Sequence, residues 1–348
     1  MKIMIYDAPG KLRLAEIEDF SISETQVRIR SMYSGISHGT EMTAYRGVAP
    51  FFDRVRDPET GLFLKADKSE TWSFPVRSCD PGVWYMGYAN VGEIIEVGAK
   101  VTNVKLGDIV FTQGPHQTQV IYEAEDVLKL PEGVKPEWAV VFANLITAHT
   151  GVIDADINVG DTVVVSGLGV IGQLLVQLAK MNGAFRVYGI DMFEKRRQVA
   201  LENGCDAVFN PADGEDIALK IRQLTENRGP DVVFEASGNH RALNEAIRIC
   251  APNRDVVITG WHQGELKGVD LSGEFHHNKI RLTKSSNVRV ETSLMWPIER
   301  RRETCLELLR RLRIDNLLTD FVDYDDVVSA YEIVDQHPEN SVQVVIRY

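Results

Sequence analysis

Residues 163–172 read Val163-Val164-Val165-Ser166-Gly167-Leu168-Gly169-Val170-Ile171-Gly172, and Gln173-Leu174-Leu175-Val176-Gln177-Leu178-Ala179 follows. This is an apolar strand, a G-x-G-x-x-G loop and the start of a helix, the pattern of a dinucleotide site. Gly167 permits the tight turn, Gly169 lets the backbone approach a pyrophosphate, and Gly172 lets helix and strand pack closely. With Leu168, Val170 and Ile171 these glycines form the expected cradle, where a helix start offers unpaired N–H groups and a positive dipole end to phosphates. Asp191 ends the next strand, 19 residues after Gly172. An acid there accepts hydrogen bonds from both ribose hydroxyls and repels a 2′-phosphate, which favours NAD over NADP. Arg196, between Lys195 and Arg197, softens that preference.

Around this stretch, from about residue 145, short apolar runs alternate with helical ones. The strands are expected at 163–165, 187–190, 207–209, 232–234 and 256–259, and the helices at 170–182, 193–203, 214–227 and 239–251. Such alternation means βαβ units and a parallel sheet covered on both faces. Ligands of such sheets sit beyond the carboxyl ends of the strands. Ser237 and Gly238 after one strand, and Gly260 and Trp261 after another, are therefore expected to face the nicotinamide half. Trp261 and His262 can equally face substrate or a subunit interface. The first 135 residues read as strands and loops, with half-buried strands around Val27–Tyr33, 90–97, 108–112 and 118–123. A long irregular stretch, 47–87, carries Phe51, Phe52, Phe63, Trp72, Phe74, Trp84 and Tyr85. It reads either as a lid or binding loop or as a loop whose aromatics pack it down. After about 290 come two amphipathic helices, marked by Cys305/Leu308/Leu309/Leu312 and Val327/Ala330/Tyr331/Val334; Cys305 reads as a core thiol. The domains are thus expected at 1–143 plus 290–348 and at 144–289.

The chain has 348 residues, 44% hydrophobic and 25% charged, which suits a soluble two-domain protein. A net charge of −12 argues against a nucleic-acid or anionic-membrane partner. The four cysteines, Cys79, Cys205, Cys250 and Cys305, form no CxxC pair and suggest neither a zinc ribbon nor a disulfide framework. With no signal-peptide core and no run of about 18 apolar residues, the expected location is the cytoplasm.

Four markers carry a family resemblance: Ser34-Gly35-Ile36-Ser37-His38-Gly39-Thr40-Glu41, Gly87-Tyr88-Ala89-Asn90-Val91-Gly92-Glu93, Ala143-Asn144-Leu145-Ile146-Thr147, and the glycine loop. Together they resemble the medium-chain dehydrogenase/reductase family over essentially the whole chain. The resemblance implies an α/β fold: a GroES-like β-rich catalytic domain plus a doubly wound Rossmann domain. It also implies hydride transfer between a nicotinamide cofactor and an alcohol or carbonyl, and a homodimer or homotetramer. The zinc-dependent members place cysteine, histidine-glutamate and cysteine or glutamate where this chain has Ser37, Tyr88-Ala89 and Ala143. These side chains cannot make a thiolate/imidazole site, so no metal is expected. A displaced site would have to draw on Cys79, His38, Glu41 or Glu93. Gly39 stands at the position whose hydroxyl usually relays the proton. The Y-S-G-I-S-x-G-T-E run looks like a zinc-free branch of alcohol oxidisers.

Without zinc, the protein must supply the acid/base and the hydrogen-bond donors itself. Tyr88 is the first candidate, either as a donor to a carbonyl oxygen or as a phenol of lowered pKa; it can instead simply fill the lost metal site. His38 suits proton shuttling, although the resemblance puts it at the pyrophosphate. Glu41 is either a base or a solvated carboxylate, and Ser37 completes the catalytic candidates. Asn144 donates to substrate or caps its helix. Thr147 matches a family position beside the nicotinamide, His149 reads as a satisfied structural histidine, and His276-His277 as surface. The leading expectation is an NAD-dependent, zinc-independent dehydrogenase of a secondary alcohol, with a sugar or cyclitol first. The alternatives are a zinc-free quinone or enoyl reductase using NADPH, and a non-catalytic NAD-binding regulator.

Overall fold

The computed structural model describes residues 1–286 and 295–348. The chain forms two compact units, one of residues 1–140, 320–336 and 344–348, the other of residues 141–319 and 337–343. The expected boundary at 289–290 lies outside the described residues. Helix Ile298–Leu308, expected with the β-rich domain, belongs to the second unit. There the buried Arg301 donates to Thr150 Oγ1 at 3.0 Å, a long-range bond that amphipathic spacing alone does not reveal.

The first unit is built around strand Gln26–Gly35, paired on one side with Asn90–Val97 and on the other with Gln343–Arg347. Val27 and Ile29 are completely buried, Arg28 between them is buried against its ion pair with Glu96 at 2.7 Å, and Arg30 is exposed. The pairing with Asn90–Val97 is antiparallel, with Ser34 opposite Asn90 and Gly35 N donating to Ala89 O at 3.1 Å. Continued past its ends, that register brings the residues just after Gly35 alongside those just before Ala89. The same strand then turns into helix Thr40–Tyr45, anchored by the fully buried Ile36 and Met42. Residues 47–87 are more ordered than a long loop. They hold a hairpin, Arg54–Arg56 with Phe63–Lys65, and a strand Val76–Arg77 that joins Lys2–Ala8. Their rings stack mainly on each other, with Tyr85 and Met86 reaching the core.

The second unit is a six-stranded parallel sheet in the order 207–209, 186–190, 162–166, 232–235, 255–258, 281–284. The expected strands and helices all form here, their ends within a few residues of the reading. The order reverses at Thr162–Ser166, so a crevice opens between the loops after that strand and after Val232–Glu235. Helix Val170–Met181 buries Leu174, Leu175, Val176 and Ala179. Pro136–Ala155 is long and apolar enough to meet a membrane-span criterion, but 61% of its most apolar stretch is buried, as in a core helix.

Candidate functional site

Each glycine of the loop does a separate job. Gly167 has φ +94°, and a Cβ there would lie 2.6 Å from Ser237 N, across the crevice. A Cβ on Gly172 would lie 1.9 Å from Gly167 O, so the first helical turn rests directly on the loop. At Gly169 the space is open: among the described residues, the only atom within 4 Å of an added Cβ is Arg196 Nη1, at 4.0 Å. A seat bounded by backbone and one guanidinium fits a pyrophosphate. Leu168, Val170 and Ile171 complete this turn and the start of the helix, Leu168 fully buried.

Asp191 follows strand Arg186–Ile190 and reaches back to the loop. Its Oδ2 accepts from Leu168 N at 2.8 Å and its Oδ1 from Phe193 N at 2.9 Å. Arg196 donates to Ser341 O and Pro338 O and brings Nη1 to 3.9 Å from Asp191. Arg197 holds the Asp191 carbonyl at 2.8 Å. Beyond the next two strands, Gly238 and Gly260 press backbone on backbone, a Cβ on Gly260 falling 2.5 Å from Gly238 N. The Trp261 backbone adjoins this contact, its carbonyl oxygen 2.8 Å from a Cβ placed on Gly238, and Trp261 is 36% exposed.

Sequence reasoning missed Glu235. Its fully buried carboxylate accepts from Ser237 N at 2.9 Å, from the Ser237 hydroxyl and from His262 Nε2 at 2.8 Å. Ser237 and His262 are thereby turned inward to shape the two strand ends. A charged residue closing an otherwise apolar strand was the available signal.

In the first unit, Tyr88 donates to Ser37 Oγ at 2.6 Å, and Thr40 N donates to the same oxygen at 3.2 Å. A hydroxyl accepts twice and donates once, so Ser37 retains its own proton for a third partner. Burial, and secondarily the nearby Glu41 carboxylate, push the Tyr88 phenol up to about 12. The lowered phenol considered from sequence is therefore not what this environment produces; Tyr88 is held neutral, as a donor. Glu41 also departs from expectation, being fully buried and neither solvated nor exposed as a base. Its Oε1 accepts from Ser37 N at 2.8 Å, and its Oε2 meets His116 Nε2 at 2.8 Å and Tyr331 Oη at 3.1 Å. Ser34 Oγ lies 2.7 Å from His116 Nδ1, and Tyr6 donates to Tyr331 at 2.8 Å. This buried network fixes the backbone of Ser37 from below. His38 follows it, half-buried.

The remaining candidates lie on helix Phe142–Ala155. A 3-10 stretch, Pro136–Val141, runs directly into it, so Val141 is the N-cap and Asn144 caps nothing. Thr147 Oγ1 donates to Ala143 O at 3.2 Å. His149 is buried against Trp296, and its Nδ1 has no hydrogen-bond partner among the described residues. Burial, then Arg301 and Arg300, lower its pKa to about 4, which keeps it neutral. Cys305 is a buried thiol pushed up to about 12, and His276 and His277 are exposed, both as expected.

A family model described as zinc-binding dehydrogenase matches residues 170–309. D-guloside 3-dehydrogenase of Escherichia coli (strain K12) is 34% identical over 356 aligned positions, covering 100% of both chains. The chain belongs to the medium-chain dehydrogenase/reductase family. (R,R)-Butanediol dehydrogenase of Bacillus subtilis is 25% identical, covering 80% of this chain and 81% of its own. The crystal structure of galactitol-1-phosphate dehydrogenase from Escherichia coli matches the whole fold, with a TM-score of 0.79 at 19% identity and 100% of each chain covered. The architecture is accordingly the family's GroES-like domain plus Rossmann domain, and the chain is an alcohol-dehydrogenase-type oxidoreductase.

The zinc of other family members does not fit this donor set. Ser37 and Tyr88 offer two neutral hydroxyls already bonded to each other, and Ala143 offers a methyl group. Among the described residues, no three His, Cys, Asp or Glu side chains are grouped to hold a metal ion.

Proposed function

We propose that this protein is an NAD-dependent, zinc-independent dehydrogenase that oxidises a secondary ring hydroxyl of a glycoside. The observation that carries the reading is the Tyr88–Ser37 pair, a donor chain at two positions where the zinc-dependent members hold metal. Ser37 offers its proton to the substrate oxygen, and Tyr88, kept neutral, makes that proton a stronger donor by hydrogen-bonding behind it. The pair thus stabilises charge on the oxygen of the carbinol as it becomes a carbonyl. A neutral phenol does not accept the hydroxyl proton, so the pair positions and polarises, and as the hydride leaves the carbinol carbon the hydroxyl proton passes to solvent water. The nicotinamide, when bound, accepts the hydride. Asp191, fixed beside Leu168 N, supports NAD over NADP by repelling a 2′-phosphate. The similarity to a D-guloside 3-dehydrogenase along the full length supports a glycoside as the substrate.

Kinetics on a methyl hexopyranoside with NAD test this. Ser37→Ala is expected to lower kcat about 10²-fold, and Tyr88→Phe about 10-fold because it acts through Ser37. NMR of the product is expected to show a ring ketone. Wild-type kcat in Ser37→Ala, or NADP used better than NAD, would sink the proposal, the latter favouring a reductase.

A further inference from the structure

The chemistry at Ser37 and Tyr88 leaves the aromatic rings of residues 47–87 unused. Three of them form a stack: Phe51 lies 4.7 Å from Trp72 at 29°, and Trp72 lies 3.5 Å from Tyr85 at 26°. Trp84 stands across all three. It is 6.1 Å from Phe51 at 87°, 5.6 Å from Trp72 at 70°, and 6.0 Å from Tyr85 at 86°. The stack is itself anchored, since Tyr85 is buried in the core and Trp72 packs against it. The indole is therefore held rigidly at its neighbours' edges while remaining 44% exposed.

A rigid, exposed indole costs little entropy when a ligand stacks on it, and it offers a large apolar face. A pyranose ring is its chemical complement, with C–H bonds on one face and hydroxyls around the rim. Trp84 also precedes Tyr88 by four residues, which fixes their separation at no more than ~14 Å of extended chain. A two-ring glycoside spans such a distance.

We propose that Trp84 is the floor of a subsite for the second ring of a two-ring glycoside, the ring that is not oxidised. This rests on the glycoside reading above. The alternative role, sealing residues 47–87 onto the domain, predicts lost stability and no selectivity.

The experiment compares Trp84→Leu, Trp84→Phe and wild type on a disaccharide, a methyl hexopyranoside and an acyclic 2,3-diol, with melting temperature measured on each protein. The expected result is a KM about 5- to 10-fold higher in Trp84→Leu for the disaccharide alone, with kcat and the other two substrates unchanged and the melting temperature lowered by only a few degrees for the lost ring contacts. Trp84→Phe should recover most of the loss. An unchanged disaccharide KM, or an equal rise on the methyl glycoside, overturns the subsite. If wild type turns over no glycoside, the functional reading fails and binding decides the subsite separately. Disaccharide quenching of indole fluorescence in wild type but not in Trp84→Leu then sustains it, and quenching in neither or in both overturns it.

Discussion

Gly172→Ala is expected to abolish nucleotide binding and to destabilise the second unit by about 3 kcal/mol or more. The added methyl would sit 1.9 Å from Gly167 O, a backbone atom that cannot rotate away. Relief requires the first turn of helix Val170–Met181 to lift from the loop. That helix is fastened by Leu174, Leu175 and Val176, all fully buried, so the loop must move instead. Moving it carries Leu168 N away from Asp191 and Gly167 away from the Ser237 turn, which dismantles the proposed nucleotide cradle as a whole. Gly169→Ala is the instructive comparison: among the described residues its Cβ meets only Arg196, at 4.0 Å, so stability should hold while affinity falls. Thermal unfolding and NAD titration on both variants separate the effects. Wild-type stability and affinity in Gly172→Ala would contradict the packing argument.

Glu41→Ala is expected to cost about 3–5 kcal/mol, because it strands His116 and Tyr331 in a fully buried site. At about 2–4 °C per kcal/mol, that is a melting temperature lower by roughly 10 °C. Activity should fall as well, since Ser37 N loses its acceptor and the hydroxyl proposed to meet the substrate oxygen drifts. Glu41→Gln keeps the shape and an acceptor oxygen, so its loss should be smaller in both respects. A melting temperature within 1–2 °C of wild type for Glu41→Ala would show that the network is not structural.

The difference between these two sites explains what was legible beforehand. The glycine loop is contiguous, and its three glycines, its strand and its helix each left a local mark. Ser37 and Tyr88 were legible only through the family positions they occupy, because nothing in their spacing announces the antiparallel register that joins them. Glu41, His116 and Tyr331 are separated by 75 and 215 residues, and a buried carboxylate looks like a surface one until its partners are folded around it. Asn144 misled because capping assumes a free helix start, which the preceding 3-10 stretch removes. Tyr88 misled in sign: burial and the Glu41 carboxylate raise the phenol, and among the described residues no cation offsets them.

NAD-linked oxidation of a methyl hexopyranoside after exhaustive dialysis against a strong chelator tests the account most directly, with zinc content measured on the same sample. The account predicts undiminished turnover with zinc far below one ion per chain. Activity lost on dialysis and restored by stoichiometric zinc would contradict it, and would mean that side chains other than Ser37 and Tyr88 hold the substrate oxygen through a metal.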